Sequence, residues 1–246
     1  MAPERTSSGS DAPAASVAVI TGASIGLGRE LALELARRGW SLVVDGRRSD
    51  LLAETVSDLT ALTTVRGIPG DIAEATHRAE LTAAAAELGP VALVVNNAST
   101  LGASPLPRLL DAPTGVMVRT YDVNVVAPIA LLSELRSLLT ERPTVVNVTS
   151  DAGAEAYETW GVYGSSKAAL EHISQVLAEE EPTWRVLVVD PGDMRTVMHQ
   201  AAFPDEDISD RPLPTESVPG FIALIEGDQP SGRYSAPALA SERATR

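Results

Sequence analysis

From residue 16 onward the chain alternates between two patterns. Short aliphatic, largely β-branched runs at 17–20, 42–44, 91–95, 145–148 and 186–189 are separated by segments whose apolar residues recur at helical spacing, such as Leu27, Leu31 and Leu35. The runs are nearly all apolar, without the alternation of a half-solvated strand, so each predicts a strand covered on both faces. Strand and helix in steady succession predict βαβ units and a parallel sheet. The expected fold is therefore α/β: one doubly wound domain over residues 16–246, its sheet mostly or wholly parallel and flanked by helices on both faces. A weaker run at 63–68 predicts a further strand, and two longer segments, 112–139 and 162–180, predict long helices. After Pro191 the pattern gives way to a Pro- and acid-rich stretch at 203–219 and recovers at 232–236. This predicts a substrate lid over about 193–219 and then a last edge strand. Residues 1–15 are too poor in large apolar groups to offset the entropy of ordering them, and predict a disordered tail.

Composition removes several function classes. The 246 residues are 44% hydrophobic and 21% charged, the balance of an ordinary globular protein. A formal charge of -14 repels phosphate backbones and anionic headgroups, which argues against nucleic acid or a membrane surface as partner. There is no cysteine, so disulfides, thiolate metal sites and cysteine nucleophiles are excluded. No apolar run reaches the roughly 18 residues that span a bilayer, and the N-terminus lacks the basic and apolar regions of a signal peptide, so a cytoplasmic location is expected. His77, His172 and His199 have no ligand spacing, and no catalytic metal is expected.

The first strand runs into Thr21-Gly22-Ala23-Ser24-Ile25-Gly26-Leu27-Gly28, with a helix following at once. Glycines there let the backbone turn tightly and approach a pyrophosphate, whose charge the free amides of the helix N-terminus then meet. Taken alone, the same segment is equally a flexible strand-to-helix turn. Its spacing, G-x-x-x-G-x-G, resembles the short-chain dehydrogenase/reductase family, whose other signatures occur here in order: Asp71, then Asn96-Asn97-Ala98-Ser99, Asn124, Ser150, Tyr163 with Lys167, and Pro191-Gly192. Ser99 stands where the family has glycine. The resemblance spans about residues 16–240 and implies a Rossmann-type domain, a nicotinamide cofactor, a small-molecule carbonyl or alcohol substrate, and a homodimer or homotetramer built on the two long helices.

It further implies that Thr21, Gly22, Ser24, Ile25, Gly26, Gly28, Pro191 and Gly192 surround the cofactor. Asp71 and Ile72 would flank its adenine, Asn97 and Ala98 its ribose, and Thr196 its carboxamide. An acid ending the second strand would bind the ribose 2′-hydroxyl of NAD, whereas arginine accommodates the 2′-phosphate of NADP. The position that selects NAD in the family falls on Gly46, so Arg47 and Arg48 favour NADP(H), while Asp45, one residue earlier, keeps NAD(H) possible.

Tyr163 and Lys167 are four apart in a helical segment and so share one face, where an ammonium would favour the phenolate. By themselves they equally suit a surface helix. The resemblance assigns Tyr163 as general acid/base, Ser150 as the hydroxyl that polarises the substrate oxygen, Lys167 as the activator that holds the nicotinamide ribose, and Asn124 as the residue positioning a proton-relay water. Tyr157 is a second tyrosine after Ser150, but Gly161 occupies its i+4 position. Gly164-Ser165-Ser166-Lys167-Ala168 resembles a damaged nucleophile elbow, yet it lies inside a helix. The acid run Asp205, Glu206, Asp207 and Asp210 predicts solvated lid surface. Ala152, Ala154, Tyr157, Trp160, Met194, Met198, His199 and Phe203 are the candidate substrate residues. Two other readings stay open: a cofactor-binding regulator or scaffold without turnover, and an epimerase or dehydratase on the same fold.

Overall fold

The computed structural model describes residues 16–244, so the tail expected at 1–15 lies outside the described residues. Within them seven strands form one sheet in the order β3-β2-β1-β4-β5-β6-β7. They are β1 (Val17–Ile20), β2 (Ser41–Gly46), β3 (Val65–Pro69), β4 (Val91–Asn96), β5 (Leu139–Val148), β6 (Arg185–Asp190) and β7 (Gly232–Ser235). Every pairing is parallel, as the apolar runs predict. The helices are α1 (Gly26–Arg37), α2 (Ser49–Thr60), α3 (Ala75–Leu88), α4 (Thr114–Tyr121), α5 (Ala127–Leu135), α6 (Gly161–Glu180), α7 (Val197–Ala202), α8 (Pro214–Glu226) and α9 (Ala236–Ala244).

Strand periodicity sorts the core into two layers. Ala18, Ile20, Leu42, Val44, Leu93, Val95, Val146, Val148, Leu187 and Val189 face one side, under leucines of α1 and α2 and under Phe221 of α8. Val17, Val19, Val43, Val91, Val94 and Val145 face the other, under Leu81 of α3 and Leu131 and Leu135 of α5. Each apolar strand side chain that leaves water against these helices contributes about 1.5–3 kcal/mol, which is why the runs are nearly all apolar on both faces; the exception, Asn147, is buried with hydrogen bonds to Asn96 and Ser174. The order reverses between β1 and β4, and there the sheet opens a crevice beyond its strand ends.

Three expectations are corrected. The segment 112–139 is helical only over Thr114–Leu138 and is not a regular α-helix: a π-helical turn, Asp122–Val126, lies between α4 and α5, and β5 already starts at Leu139. The continuous helical stretch Thr114–Leu138 is, by length and composition, apolar enough to cross a bilayer, contrary to the reading of the runs. Its Val123, Val125, Ala127, Leu131, Leu132 and Leu135 are buried in the protein, as expected of a helix covering a parallel sheet. Finally, the segment expected as a lid up to residue 219 ends in a core helix. Pro214 opens α8, the Glu216 carboxylate accepts from the Leu213 amide at 3.0 Å, and Val218, Phe221 and Ile222 are core residues. Its prolines and acids hid an amphipathic pattern.

Candidate active site

β1 ends at Ile20, and the chain turns through residues 21–25 into α1. Gly26 adopts φ +61, and a Cβ there would meet only Thr196 at 3.6 Å, so that face of the turn is open. Gly28 is closed instead: its Cβ would lie 2.4 Å from the Gly22 carbonyl oxygen and 2.5 Å from Asn97 Nδ2, so only glycine lets α1 start so close to the turn. Asn97 fixes that turn from β4 by donating to the Thr21 and Gly22 carbonyls at 2.9 and 3.0 Å. The Thr21 hydroxyl accepts from the amides of Asn97 and Ala98 at 3.1 and 3.0 Å. Among the described residues no side chain caps the N-terminus of α1. Its amides are thus a donor set suited to an anion, and the residues present fit a dinucleotide pyrophosphate.

A continuous cavity of about 940 Å³ runs from this turn to the catalytic candidates. Gly22, Ser24, Ile25, Gly26, Arg47, Arg48, Asp71, Ile72, Asn97, Ala98, Pro191, Gly192 and Thr196 all line it. Thr21 and Gly28 do not; buried behind the turn, they shape it. Arg47 makes no ion pair among the described residues, whereas Arg48 pairs with Asp50 at 3.1 Å. Asp71 is engaged by Arg119 and by the Ala73 amide. Asp45, considered as an NAD ligand, is 2% exposed, with one carboxylate oxygen on the Gly22 amide at 2.6 Å and the other on His77 Nε2 at 3.0 Å. Both oxygens of its carboxylate are therefore engaged beneath the turn, at the border of the cavity.

Ser150, Tyr163 and Lys167 line the opposite end of the same cavity. Ser150 follows β5; its hydroxyl donates to Asp151 Oδ1 at 2.8 Å and accepts from the Ala152 amide at 3.2 Å. Tyr163 and Lys167 lie one turn apart on the buried face of α6, with Lys167 Nζ 5.6 Å from the Tyr163 ring centre. The ammonium donates to the Val148 carbonyl at 2.8 Å. Burial lowers the Lys167 pKa from 10.5 to about 8, with Glu171 pulling it back up. Burial likewise pushes the Tyr163 phenol above its ordinary value, hydrogen bonds with Ser99 and Ser150 oppose this, and Asp190 and Asp151 reinforce it. Burial thus outweighs the hydrogen bonds that oppose it, and the direction is upward where a phenol lowered by Lys167 was expected.

The Asn124 side chain is engaged by protein groups. It sits in the π-helical turn, donates to the Thr100 carbonyl and to Ser166 Oγ at 2.9 Å each, and accepts from the Thr100 amide at 2.9 Å and Ser99 Oγ at 3.1 Å. It thereby ties the loop after β4 to α6. Ser99, the departure from the family pattern, supplies one of these bonds.

At the substrate end Trp160, Met194, Met198 and His199 line the cavity, while Ala152, Ala154, Tyr157 and Phe203 do not. Ala152 is buried behind Tyr163, and Phe203 packs on Trp160 with ring centres 5.8 Å apart. Tyr157 is turned outward, its hydroxyl on Asp151 and Glu155 at 3.1 and 2.9 Å. Two carboxylates hold it there more cheaply than an apolar mouth could. Asp205, Glu206, Asp207 and Asp210 are exposed as expected. Reading the sequence missed Asp151, Leu101 and Asp193 as cavity residues; for Asp151 its adjacency to Ser150 was an available signal.

Comparison with known proteins bears on the fold and the family. The family description "short chain dehydrogenase" matches residues 16–207. Sepiapterin reductase of Bos taurus is 34% identical over 201 residues, covering 75% of this chain and 74% of that protein. The uncharacterized oxidoreductase YciK of Escherichia coli is 31% identical over 220 residues, covering 86% of each. A putative short-chain dehydrogenase of Shigella flexneri, solved in complex with NADP, superposes with a TM-score of 0.81 at 28% identity, covering 90% of this chain and 96% of that one. The chain belongs to the short-chain dehydrogenase/reductase family of oxidoreductases.

Proposed function

We propose that the protein is an NADP(H)-dependent reductase of ketones or aldehydes, or a dehydrogenase of the corresponding alcohols. The observation that carries this reading is a single cavity with Ser150, Tyr163 and Lys167 at one end, and at the other the start of α1 and Arg47, neither engaged by a side chain among the described residues. The NADP-bound Shigella flexneri neighbour supports the choice of cofactor. When bound, the nicotinamide supplies the hydride.

In the reducing direction Tyr163 gives its proton to the substrate oxygen, and its raised pKa keeps that proton in place at neutral pH. Ser150 turns its hydroxyl from Asp151 to the same oxygen, stabilising the charge that develops there. Lys167 spends one of its three donors on Val148, leaving two for the nicotinamide ribose and for restoring the Tyr163 proton. Arg47 meets the 2′-phosphate. Asn124 positions Ser99 and α6 around Tyr163. A homo-oligomer acting in the cytoplasm remains part of the proposal, resting on the family resemblance. The presence of tyrosine, lysine and serine together favours turnover over a scaffold role.

Titration with NADPH and, separately, NADH, followed by a ketone and aldehyde panel monitored by NADPH absorbance, tests the proposal. Tighter NADPH binding and NADPH consumption with some panel member are expected. Tighter NADH binding would overturn the cofactor, and an epimerised or dehydrated product without net cofactor consumption would overturn the reaction.

A further inference from the structure

Beneath the glycine turn lies a buried acid and imidazole pair that the mechanism does not use. Asp45 stands at the end of β2, one residue before Gly46 and two before Arg47, and its carboxylate bridges two elements. Oδ1 accepts the Gly22 amide at 2.6 Å; Oδ2 meets Nε2 of His77, 32 residues away on α3, at 3.0 Å. Both side chains are nearly sealed from solvent, at 2% and 5% exposure. His77 is pressed against Gly70, where a Cβ would come within 2.2 Å of Nδ1, and that nitrogen is buried without a hydrogen-bond partner among the described residues. A proton on Nδ1 would be a buried donor with no acceptor, so the network assigns the proton to Nε2, which donates to Asp45.

Each Asp45 oxygen therefore has one donor here, and a buried carboxylate stripped of a donor is costly. Asp45 also borders the cofactor cavity, in the stretch that includes Gly46, Arg47 and Arg48. Without His77, the cavity is the side on which the carboxylate can recover a hydrogen-bonding partner. There it would oppose a 2′-phosphate and accept from a 2′-hydroxyl.

We infer that His77 is a specificity-determining positioning residue: by holding the Asp45 carboxylate under the glycine turn, it keeps an acid out of the space beside Arg47 and so preserves the preference for NADPH over NADH. This rests on the proposed use of NADP(H), and it concerns two residues outside the catalytic machinery.

The test is the ratio of NADH to NADPH dissociation constants, measured by nicotinamide fluorescence on wild type, His77→Leu and the Asp45→Ala/His77→Leu double variant. His77→Leu is expected to lower the ratio at least about tenfold, the scale of a like-charge contact. The double variant is expected to recover it, because no carboxylate remains to turn outward. Loosening of the turn would weaken both cofactors together, so an unchanged ratio in His77→Leu overturns the inference, as does a lowered ratio that the double variant fails to recover. Should His77→Leu not fold, His77→Asn, too short to reach the carboxylate, is read by the same ratio and the same criterion. A wild type that binds NADH as tightly as NADPH overturns instead the cofactor assignment on which the inference rests.

Discussion

Replacing Lys167 with methionine is expected to abolish turnover and, at neutral pH, to make the protein more stable. Lys167 is 2% exposed, and burial lowers its pKa from 10.5 to about 8. That fall corresponds to about 3 kcal/mol by which folding disfavours the ammonium relative to the unfolded chain. Methionine fills a similar volume without charge but leaves the Val148 carbonyl without its donor, returning about 1 kcal/mol. The net gain of about 2 kcal/mol raises the melting temperature of a chain this long by about 4 to 8 °C. The sign with pH follows from proton uptake. Between about pH 8 and 10.5 the folded lysine is neutral while the unfolded one is still charged, so the wild type gains stability as pH rises. The advantage of methionine is therefore complete below about pH 8 and fades towards 10.5. Thermal unfolding of both proteins at pH 7 and pH 10, followed by circular dichroism, measures the gap. A variant that melts below wild type at pH 7, or a gap that does not change with pH, refutes the reasoning.

Tyr163→Phe removes the only proton the mechanism donates while leaving the glycine turn untouched, so turnover is expected to fall at least about 100-fold with NADPH affinity unchanged; retained turnover excludes Tyr163 as the acid. Arg47→Ala is expected to weaken NADPH binding several-fold with NADH little changed, and equal losses in the two titrations remove Arg47 from the phosphate. Asn124→Ala strips donors or acceptors from Ser99 and Thr100 in the half-buried loop after β4 and from buried Ser166 of α6, and denaturant titration is expected to show a loss of about 2–4 kcal/mol. Phe221→Ala empties a fully buried site under the sheet and is expected to cost about 3–5 kcal/mol in the same assay. A loss near zero would return α8 to the lid that the acid-rich sequence suggested.

Much of this molecule is legible in the chain because its signals are local. A strand covered on both faces needs a short unbroken apolar run, and the runs at 17–20, 42–44, 91–95, 145–148 and 186–189 all became strands. The tight approach of α1 to its turn requires glycine, and that requirement is written in Gly22, Gly26 and Gly28. Tyr163 and Lys167 share a face because they are four residues apart on a helix. Such features depend on neighbours within a turn or a strand, so residue type and spacing carry them.

What the chain did not disclose depends on partners far away in sequence. The direction of the Asp45 carboxylate was decided by His77, 32 residues on, and by the Gly22 amide, 23 residues back. The employment of Asn124 was decided by a loop 24 residues earlier and by α6, 42 residues later. The Pro219 region joined the core because Phe221 found the layer beneath α1. Hydrophobic period and turn chemistry determined the fold class and the order of the site residues along the chain. Tertiary packing alone decided which polar atoms were left free to act, because a buried donor or acceptor takes whichever partner the fold brings within reach.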